Sequence, residues 1–445
     1  MKTIQALTAL IVAASFLGTA TVQAAEPKKP TATKKAPAKR AAAKPVPAPA
    51  AAVVAGEIEL VHQLGSDKGA QLKQLVERFN AASGQKIVVS ERDWQQGDLP
   101  HMMILAEDGE AQFLAGKPRY KPLYQLMKET GEPLQTFKER PGVMSPAPLD
   151  ASGQIIGLPV GLATPIMYYN RDAFKKAGLD PSQPPKTWWD LQQALGKLYD
   201  AGTTCPYTTS YPAWVHVENT SAWHNEPVAA TSGKREGPLL INNMLMVKHL
   251  AMMTSWHKSR YLHIFGQRDE AEAKFAIGEC AVLTAPSSSF PTLTRFAKFD
   301  IGVARLPYHD DIPGAPQNTL ADGPTLWVAA DKNRDDYKTI AKFVRFLLTP
   351  ESQLEWQRNA GYLPLNRTAL LASSSELLGS DLVNVRVAVE QLVGKPVTGS
   401  SRATRFAHRG DVRQIVNEEL SDMWANRKPA KAALDAAVAR SRDLN

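Results

Sequence analysis

Two aromatic side chains stand close together in a segment that could carry chemistry. Tyr211 and Trp214 lie on either side of Pro212, between a predicted strand and a predicted helix. The face of a sugar or polyol is apolar and stacks on flat rings, whereas its hydroxyls need fixed hydrogen-bond partners. The pair therefore indicates a polyol-binding cleft, and the alternative is that both rings pack in the core.

A run of serines is a second candidate. Pro286 precedes Ser287, Ser288 and Ser289, after a predicted strand and before a predicted helix. Free backbone N–H groups and hydroxyls at the start of a helix can bind an anion. Serines at this position more often simply cap the helix. Both interpretations stay open from the sequence.

Signatures of enzymes are missing from the sequence. It has no glycine-rich phosphate loop ending in Gly-Lys-Ser/Thr, no Gly-x-Ser-x-Gly and no His-Glu-x-x-His. Its nine histidines are scattered along the chain rather than paired at the spacing of metal ligands. We therefore expect a binding protein rather than an enzyme, with no catalytic residue, no metal site and no cofactor.

The N-terminal segment predicts export. Met1 and Lys2 precede an apolar run from Ala6 to Leu17, and a small-residue cleavage site follows at Ala24. This is the three-part secretory signal, so we expect residues 1–24 to be removed. A membrane anchor would need about 20 apolar residues, and this run is shorter. The sequence predicts release into the periplasm without a transmembrane helix.

Residues 25–55 form a distinct segment made almost wholly of Ala, Pro, Lys and Thr. Such a composition cannot bury a core, and it predicts a disordered, basic linker. This linker accounts for most of the formal net charge of +8, so the remainder of the chain is close to neutral. The charge therefore gives no reason to expect a nucleic-acid partner.

The elements that would position these residues follow a mixed α/β pattern. The remaining chain, 56–445, is too long for one ordinary core and predicts two lobes. Predicted strands are Glu57–Gln63, Lys86–Ser90, Met102–Ala106, Ile155–Val160, Pro165–Tyr169, Cys205–Thr209, Cys280–Ala285, Ile301–Leu306 and Leu326–Ala330. Predicted helices are Asp67–Ala82, Arg171–Ala177, a helix capped by Thr187, Phe290–Ala297, Tyr337–Leu348, Glu351–Arg358, Asp381–Leu392, Val412–Ala425 and Ala430–Arg442.

Cys205 and Cys280 are the only cysteines. An even number in an exported protein permits a disulfide. A disulfide and two buried free thiols are both compatible with the sequence.

Several longer stretches resemble one known family. They are Arg78-Phe-Asn-Ala81, Tyr168 to Asp180 continuing through Pro184-Pro-Lys-Thr-Trp188, Glu218-Asn219 with Ser221-Ala-Trp223, Ala315-Pro-Gln-Asn318, Gly361-Tyr-Leu-Pro364 and Glu418-Glu-Leu420. From about Glu57 to Leu444 the chain resembles the periplasmic glycerol-3-phosphate-binding proteins of ABC importers, within the maltose-binding-like solute-binding proteins.

The resemblance implies a type II periplasmic binding protein, in which two α/β lobes close around a cleft by a hinge. Chain crossings would lie near Thr164, Gly323 and Leu363. The expected lobes are 56–164 with 324–362 and 165–323 with 363–445. The expected partners are a small-molecule ligand and two membrane permease subunits with a cytoplasmic ATPase, and the binding protein itself would be a monomer.

Five ligand contacts carry over from the resemblance. Glu107 matches an acid that accepts hydrogen bonds from glycerol hydroxyls, and Tyr362 matches an aromatic that packs on the glycerol. Trp214 matches one of two cleft tryptophans, and Gly323 matches a backbone donor. Arg413 matches the guanidinium that meets the phosphate, a role suited to its fork of donors and its permanent charge.

Departures from the family pattern bear on the ligand. Trp94 stands in place of a tyrosine near the phosphate, and Tyr211 in place of the other cleft tryptophan. Ala163 and Pro286 replace two phosphate-binding serines, and Ser287 is the candidate substitute for one of them. Loss of three hydroxyls, at about 1.5–3 kcal/mol each, would weaken phosphate binding by several powers of ten.

Three hypotheses remain from the sequence. The first is capture of glycerol 3-phosphate or a glycerophosphodiester. The diester carries one negative charge fewer than glycerol 3-phosphate, so it needs fewer hydrogen-bond donors. The second is capture of a sugar or polyol, in which Arg413 would bond hydroxyls or pair with Glu107. The third is a ligand sensor for a membrane receptor. Neighbouring genes for permeases or for a sensor kinase would separate transport from sensing.

Overall fold

The computed structural model describes residues 57–132, 134, 148–150, 152–232, 235–363, 365, 382–401 and 409–444. The predicted signal peptide, 1–24, and the predicted linker, 25–55, lie outside the described residues and stay predictions.

The first sheet has five strands in the order β2-β1-β3-β12-β4. These are β1 (Ile58–His62), β2 (Ile87–Glu91), β3 (Met102–Leu105), β4 (Leu158–Pro159) and β12 (Thr325–Val328). Strands β1, β2 and β3 are parallel, as the β-α-β opening of the sequence predicts, whereas β12 runs antiparallel to β3 and β4. The helix between β1 and β2 packs its apolar face, including Leu72, Val76 and Phe79, on this sheet's core.

The second sheet also has five strands, in the order β11-β5-β10-β6-β9. These are β5 (Pro165–Asn170), β6 (Cys205–Thr209), β9 (Leu262–His263), β10 (Cys280–Pro286) and β11 (Ile301–Ala304). A disulfide joins Cys205 to Cys280, which are paired across neighbouring strands β6 and β10. The structure thereby decides between the two alternatives that the sequence left open.

The remaining elements cover these sheets. A separate hairpin pairs β7 (Ala229–Ser232) with β8 (Arg235–Leu239). The helices are α1 (Ser66–Ser83), α2 (Glu107–Leu114), α3 (Leu123–Glu129), α4 (Arg171–Lys176), α5 (Trp188–Asp200), α6 (Thr220–Trp223), α7 (Met244–Lys258), α8 (Glu270–Ala276), α9 (Phe290–Phe296), α10 (Arg334–Leu347), α11 (Pro350–Ala360), α12 (Val383–Val393), α13 (Arg409–Trp424) and α14 (Ala430–Arg442). A π-helix spans Ala213–Asn219 and a 3₁₀ helix spans Ser287–Ser289.

Local chemistry explains several of these boundaries. Thr187 and Asp190 form the predicted capping box at the start of α5, each side chain bonding the other's backbone N–H. Gly361 ends α11 in the left-handed conformation, which glycine adopts without steric cost. The predicted strand Ile155–Val160 is mostly wrong, since only Leu158–Pro159 pairs as a strand, at the edge of the first sheet.

Three chain segments run side by side between the two sheets. Leu162 pairs with Leu363, and Ala163 pairs with Asp322, in isolated antiparallel bridges. At this place a side chain on Gly323 would overlap the carbonyl oxygen of Gly161. Glycine is therefore required for the close approach of the segments.

Four histidines that are far apart in sequence form a buried chain beside the second sheet. His216 Nδ1 lies 3.1 Å from His249 Nε2, and His249 Nδ1 lies 3.1 Å from His309 Nε2. The backbone N–H of His309 donates to His224 Nε2 at 2.8 Å, and His216 Nε2 lies 3.1 Å from the Tyr207 hydroxyl. Four histidines that are scattered along the sequence are therefore neighbours in space.

Candidate functional site

A cavity of about 120 Å³ lies between the two lobes, beside the paired crossing segments. Lys68 and Ala106, at the starts of α1 and α2, line it from the first lobe. Tyr211, Trp214 and Glu272 line it from the second lobe. The parallel strands of the first sheet place these helix starts at one edge, as in other α/β folds with ligands at the carboxyl ends of strands.

Aromatic rings form one wall of this cavity. Tyr211 adopts a positive φ of 49° just before the π-helix that carries Trp214. Tyr362 stacks on Trp356, with ring centroids 5.8 Å apart. Gly161 also lies against this ring, and any side chain at that position would collide with it. The structure thus brings Tyr211, Trp214 and Tyr362 together at the cavity, and their role as ligand contacts stays a prediction.

Arg413 lies in a buried network of charges at the back of the cavity. Arg413 donates hydrogen bonds to both carboxylate oxygens of Glu218. Its Nε atom bonds Oε1, and its Nη2 atom bonds Oε2 at 2.8 Å. Its Nη1 atom contacts Asp322 Oδ2 at 2.6 Å, and Arg409 Nη2 contacts the same oxygen at 2.6 Å. Only 5% of Arg413 is exposed. The sequence hypothesis that Arg413 pairs with Glu107 stays a prediction, because the side chain of Glu107 lies outside the described residues.

Asp322 is the member of this network that lines the cavity. Its Oδ1 atom accepts a hydrogen bond of 2.8 Å from the Gly323 N–H group. Burial alone would raise the pKa of Asp322, but the guanidinium groups of Arg409 and Arg413 hold it below its ordinary value. Asp322 is therefore an ionised carboxylate at the cavity surface.

Glu107 begins α2, but its side chain lies outside the described residues, so its predicted role stays a prediction. One turn later Glu110 faces the arginine network from the same helix. Desolvation, reinforced by the negative charge of Asp322, raises the pKa of Glu110 to about 7.

The serine run divides into two roles. Ser287 is fully buried, its N–H donates to the Thr164 carbonyl at 2.8 Å, and its Oγ accepts from the Thr164 N–H at 3.3 Å. Ser288 and Ser289 line the cavity instead. The structure therefore corrects the choice of Ser287, because its polar groups hold the crossing segments together.

Two further ionisable side chains, Lys68 and Glu272, line the cavity, and no motif in the sequence marks them. Lys68 Nζ donates to Ser288 Oγ at 3.3 Å and lies 4.9 Å from the centre of the Tyr362 ring. Ser289 Oγ donates to Glu272 at 2.7 Å. Desolvation raises the pKa of Glu272 to about 7, against the opposing effect of Lys68. The lysine thus bridges the lobes from α1.

A second contact joins the lobes outside the cavity. Asp67 accepts a hydrogen bond of 2.6 Å from Thr292 and forms an ion pair with Arg295. Helix α2 of the first lobe also packs against α13 of the second. These contacts bring the two sides of the cleft together.

Trp94 is corrected as a cavity residue. Only 2% of it is exposed, and it packs edge-on against Phe113 at 5.3 Å within the core of the first lobe. The Arg119 guanidinium covers its ring at 4.7 Å. An apolar ring at the end of a strand is a weak signal for a ligand contact, since the core attracts it equally well.

Comparison with known proteins agrees with this architecture. A family model described as bacterial extracellular solute-binding protein matches residues 74–377. The chain belongs to this family. It is 35% identical over 405 residues to the sn-glycerol-3-phosphate-binding periplasmic protein UgpB of Yersinia enterocolitica, covering 87% of this chain and 92% of the relative. UgpB of Salmonella typhimurium is 35% identical over 399 residues, covering 86% and 91%.

Solved structures share the fold at lower identity. UgpB of Mycobacterium tuberculosis in complex with glycerophosphocholine superposes with a TM-score of 0.70 at 20% identity, covering 88% of this chain and 100% of that one. Maltose-bound MalE3 of T. maritima gives 0.67 at 17% identity, covering 87% and 100%. The predicted two-lobed, maltose-binding-like fold is confirmed.

Membership of this family also gives the cellular location of the protein. Members of the family are extracellular and the relatives above are periplasmic, so this chain is a periplasmic protein. Within the described ranges, no helix is both long and apolar enough to cross a membrane. The described residues contain no cluster of three or more His, Cys, Asp or Glu side chains that could hold a metal ion.

Proposed function

We propose that this chain is the substrate-binding subunit of an ABC importer, and that it captures a glycerophosphodiester or glycerol 3-phosphate for two permease subunits and their ATPase. The observation that carries the proposal is the cavity between the lobes. Tyr211, Trp214, Tyr362 and Asp322 line it, and Arg413 contacts Asp322. Relatives with 35% identity that are named as sn-glycerol-3-phosphate-binding proteins support the ligand class.

The mechanism that we propose is closure of two lobes, 56–164 with 324–362 and 165–323 with 363–445, around the ligand. This division into lobes follows the sheets. Strand β12, within 324–362, completes the first sheet, whereas strands β5 to β11, within 165–323, lie outside that sheet. A ligand that contacts both walls favours the closed arrangement, since only differential contacts shift such an equilibrium. One monomer would dock on the permease pair in this form.

Sugar or polyol binding is the second candidate. Three carboxylates line the cavity, Asp269, Glu272 and Asp322, and carboxylates accept hydrogen bonds from hydroxyls. The aromatic wall would stack on a sugar face. The maltose-bound structural neighbour makes maltose a suitable probe.

Titration calorimetry of the mature protein with glycerol 3-phosphate, glycerophosphocholine and maltose tests the proposal. At least one glycerophosphate should bind, and Trp214→Ala should weaken it about ten- to hundredfold, because a buried aromatic contact contributes about 1.5–3 kcal/mol. Trp189→Ala is the matched control, since Trp189 is 61% exposed on α5 and does not line the cavity.

The outcomes separate the candidates. Heat only with maltose would replace the proposed ligand by a sugar. Equal affinities of Trp214→Ala and Trp189→Ala for a bound ligand would place the binding site outside this cavity.

A further inference from the structure

Asp322 accepts hydrogen bonds from Gly323 and Arg413, two donors that the resemblance predicts as ligand contacts. One of its carboxylate oxygens accepts the Gly323 N–H at 2.8 Å, and the other contacts Arg413 Nη1 at 2.6 Å. Asp322 therefore places an anion of the protein itself at Arg413, which was expected to meet a phosphate, and at the Gly323 N–H, which was expected to donate to the ligand.

The backbone holds Asp322 firmly in this position. The Ala163 N–H donates to the Asp322 carbonyl at 2.7 Å, and the Asp322 N–H donates to the Ala163 carbonyl at 2.9 Å. Gly323, the next residue, admits no side chain because of the Gly161 carbonyl. Side-chain rotation, of Asp322 or of the arginines, is therefore what separates the carboxylate from the guanidinium groups.

Carboxylates of the protein already partner the two described arginines of the network. Arg409 and Arg413 face Glu218 and Asp322, which gives two positive and two negative groups in contact. Glu110 adds a further carboxyl group from α2. A doubly charged phosphate monoester placed here would add two negative charges beside Asp322, whereas a phosphodiester would add one. Like charges in a poorly solvated site repel strongly.

We propose that Asp322 is a specificity-determining residue, which disfavours dianionic phosphate monoesters and favours ligands with a singly charged phosphodiester. The inference rests on the proposed function and narrows its substrate class.

Calorimetry at pH 7.5 with glycerol 3-phosphate, glycerophosphocholine and inorganic phosphate tests the proposal on the mature wild-type protein and on Asp322→Ala. The wild type should bind the diester at least about tenfold more tightly than the monoester, a ratio equivalent to ~1.4 kcal/mol. Asp322→Ala frees the two donors, and the ratio should fall about tenfold as monoester affinity rises.

Two further variants address folding and the location of the charge. Asp322→Asn removes the charge while keeping the shape, and it serves if the alanine variant does not fold. Glu218→Gln removes a carboxylate from the same arginines, but Glu218 does not line the cavity, so the ratio should change much less than with Asp322→Ala.

Tighter binding of the monoester than of the diester by the wild type would overturn the proposal, and so would equal effects of Glu218→Gln and Asp322→Ala. If the wild type binds neither glycerophosphate, the proposed ligand class is wrong. The binding of inorganic phosphate by the wild type and by Asp322→Ala then tests the proposed role of Asp322 separately. Phosphate binding by Asp322→Ala alone would support its role in excluding dianions, and no binding by either protein would overturn it.

Discussion

The buried histidine chain makes stability depend on pH in a way that one substitution can isolate. His216 is fully buried, and desolvation lowers its pKa from 6.5 to about 3. Between these values the unfolded chain binds a proton that the folded chain does not. The free energy of unfolding therefore falls as the pH falls below 6.5.

The magnitude follows from the pKa shift. At 1.36 kcal/mol per pKa unit, lowering the pH from 7.5 to 5.0 should remove about 2 kcal/mol of stability through His216 alone. His224 and His309, whose pKa values are lowered to about 4, act in the same direction. Glu110 and Glu272 act in the opposite direction, because their raised pKa values make the folded state bind more protons in this range.

His216→Gln isolates one group from this mixture. At pH 7.5 the variant should lose about 3 kcal/mol, since it breaks the contacts of His216 with Tyr207 and His249 in a buried site. At pH 5.0 the difference between wild type and variant should shrink by about 2 kcal/mol, because the variant lacks the titrating imidazole.

Urea unfolding at both pH values, followed by tryptophan fluorescence, measures this difference. Trp189→Ala is the control, since the exposed residue carries no titrating group and its effect should be the same at both pH values. A gap between wild type and His216→Gln that stays constant or widens at pH 5.0 would refute the argument from burial.

Two other predictions concern the framework of the site. Gly323→Ala should abolish high-affinity binding or prevent folding, because the added methyl group overlaps the Gly161 carbonyl. Circular dichroism measures folding and calorimetry measures binding. A stable variant that binds normally would contradict this prediction. The double substitution Cys205→Ser and Cys280→Ser should cost about 4 kcal/mol, since the disulfide closes a separation of 75 residues, and an unchanged urea midpoint would contradict that estimate.

The sequence predicted elements well where local signals coincide. Cys205–Thr209 and Ala430–Arg442 match the predicted ranges at both ends, and the Thr187 capping box marked the start of α5. Apolar periodicity and capping residues act within a few positions, so one sequence suffices to find them. Chain length predicted two lobes, and the resemblance, which covers nearly the whole described chain, predicted the periplasmic-binding-protein fold.

Contacts between distant segments escaped the sequence analysis. The histidine chain joins residues from the π-helix, α7 and the segments after α6 and β11, and no spacing in the sequence marks them as neighbours. Asp322 could have been noticed, because it adjoins Gly323 at a predicted crossing. Likewise Arg409 lies one helical turn before Arg413, so the two guanidinium groups share one face of α13.

The position of the charged network explains why it can control the choice of ligand. Arg413 is almost fully buried, and removing a partner from a buried ion pair costs far more than removing one at the surface. A ligand that draws Arg413 from Asp322 must therefore supply an equivalent hydrogen-bonded charge. A single phosphodiester charge meets this demand with less repulsion than a dianion, and a neutral sugar leaves the network intact. The affinity of a ligand should thus depend on the charge and the hydrogen-bond acceptors with which it replaces Asp322 at Arg413.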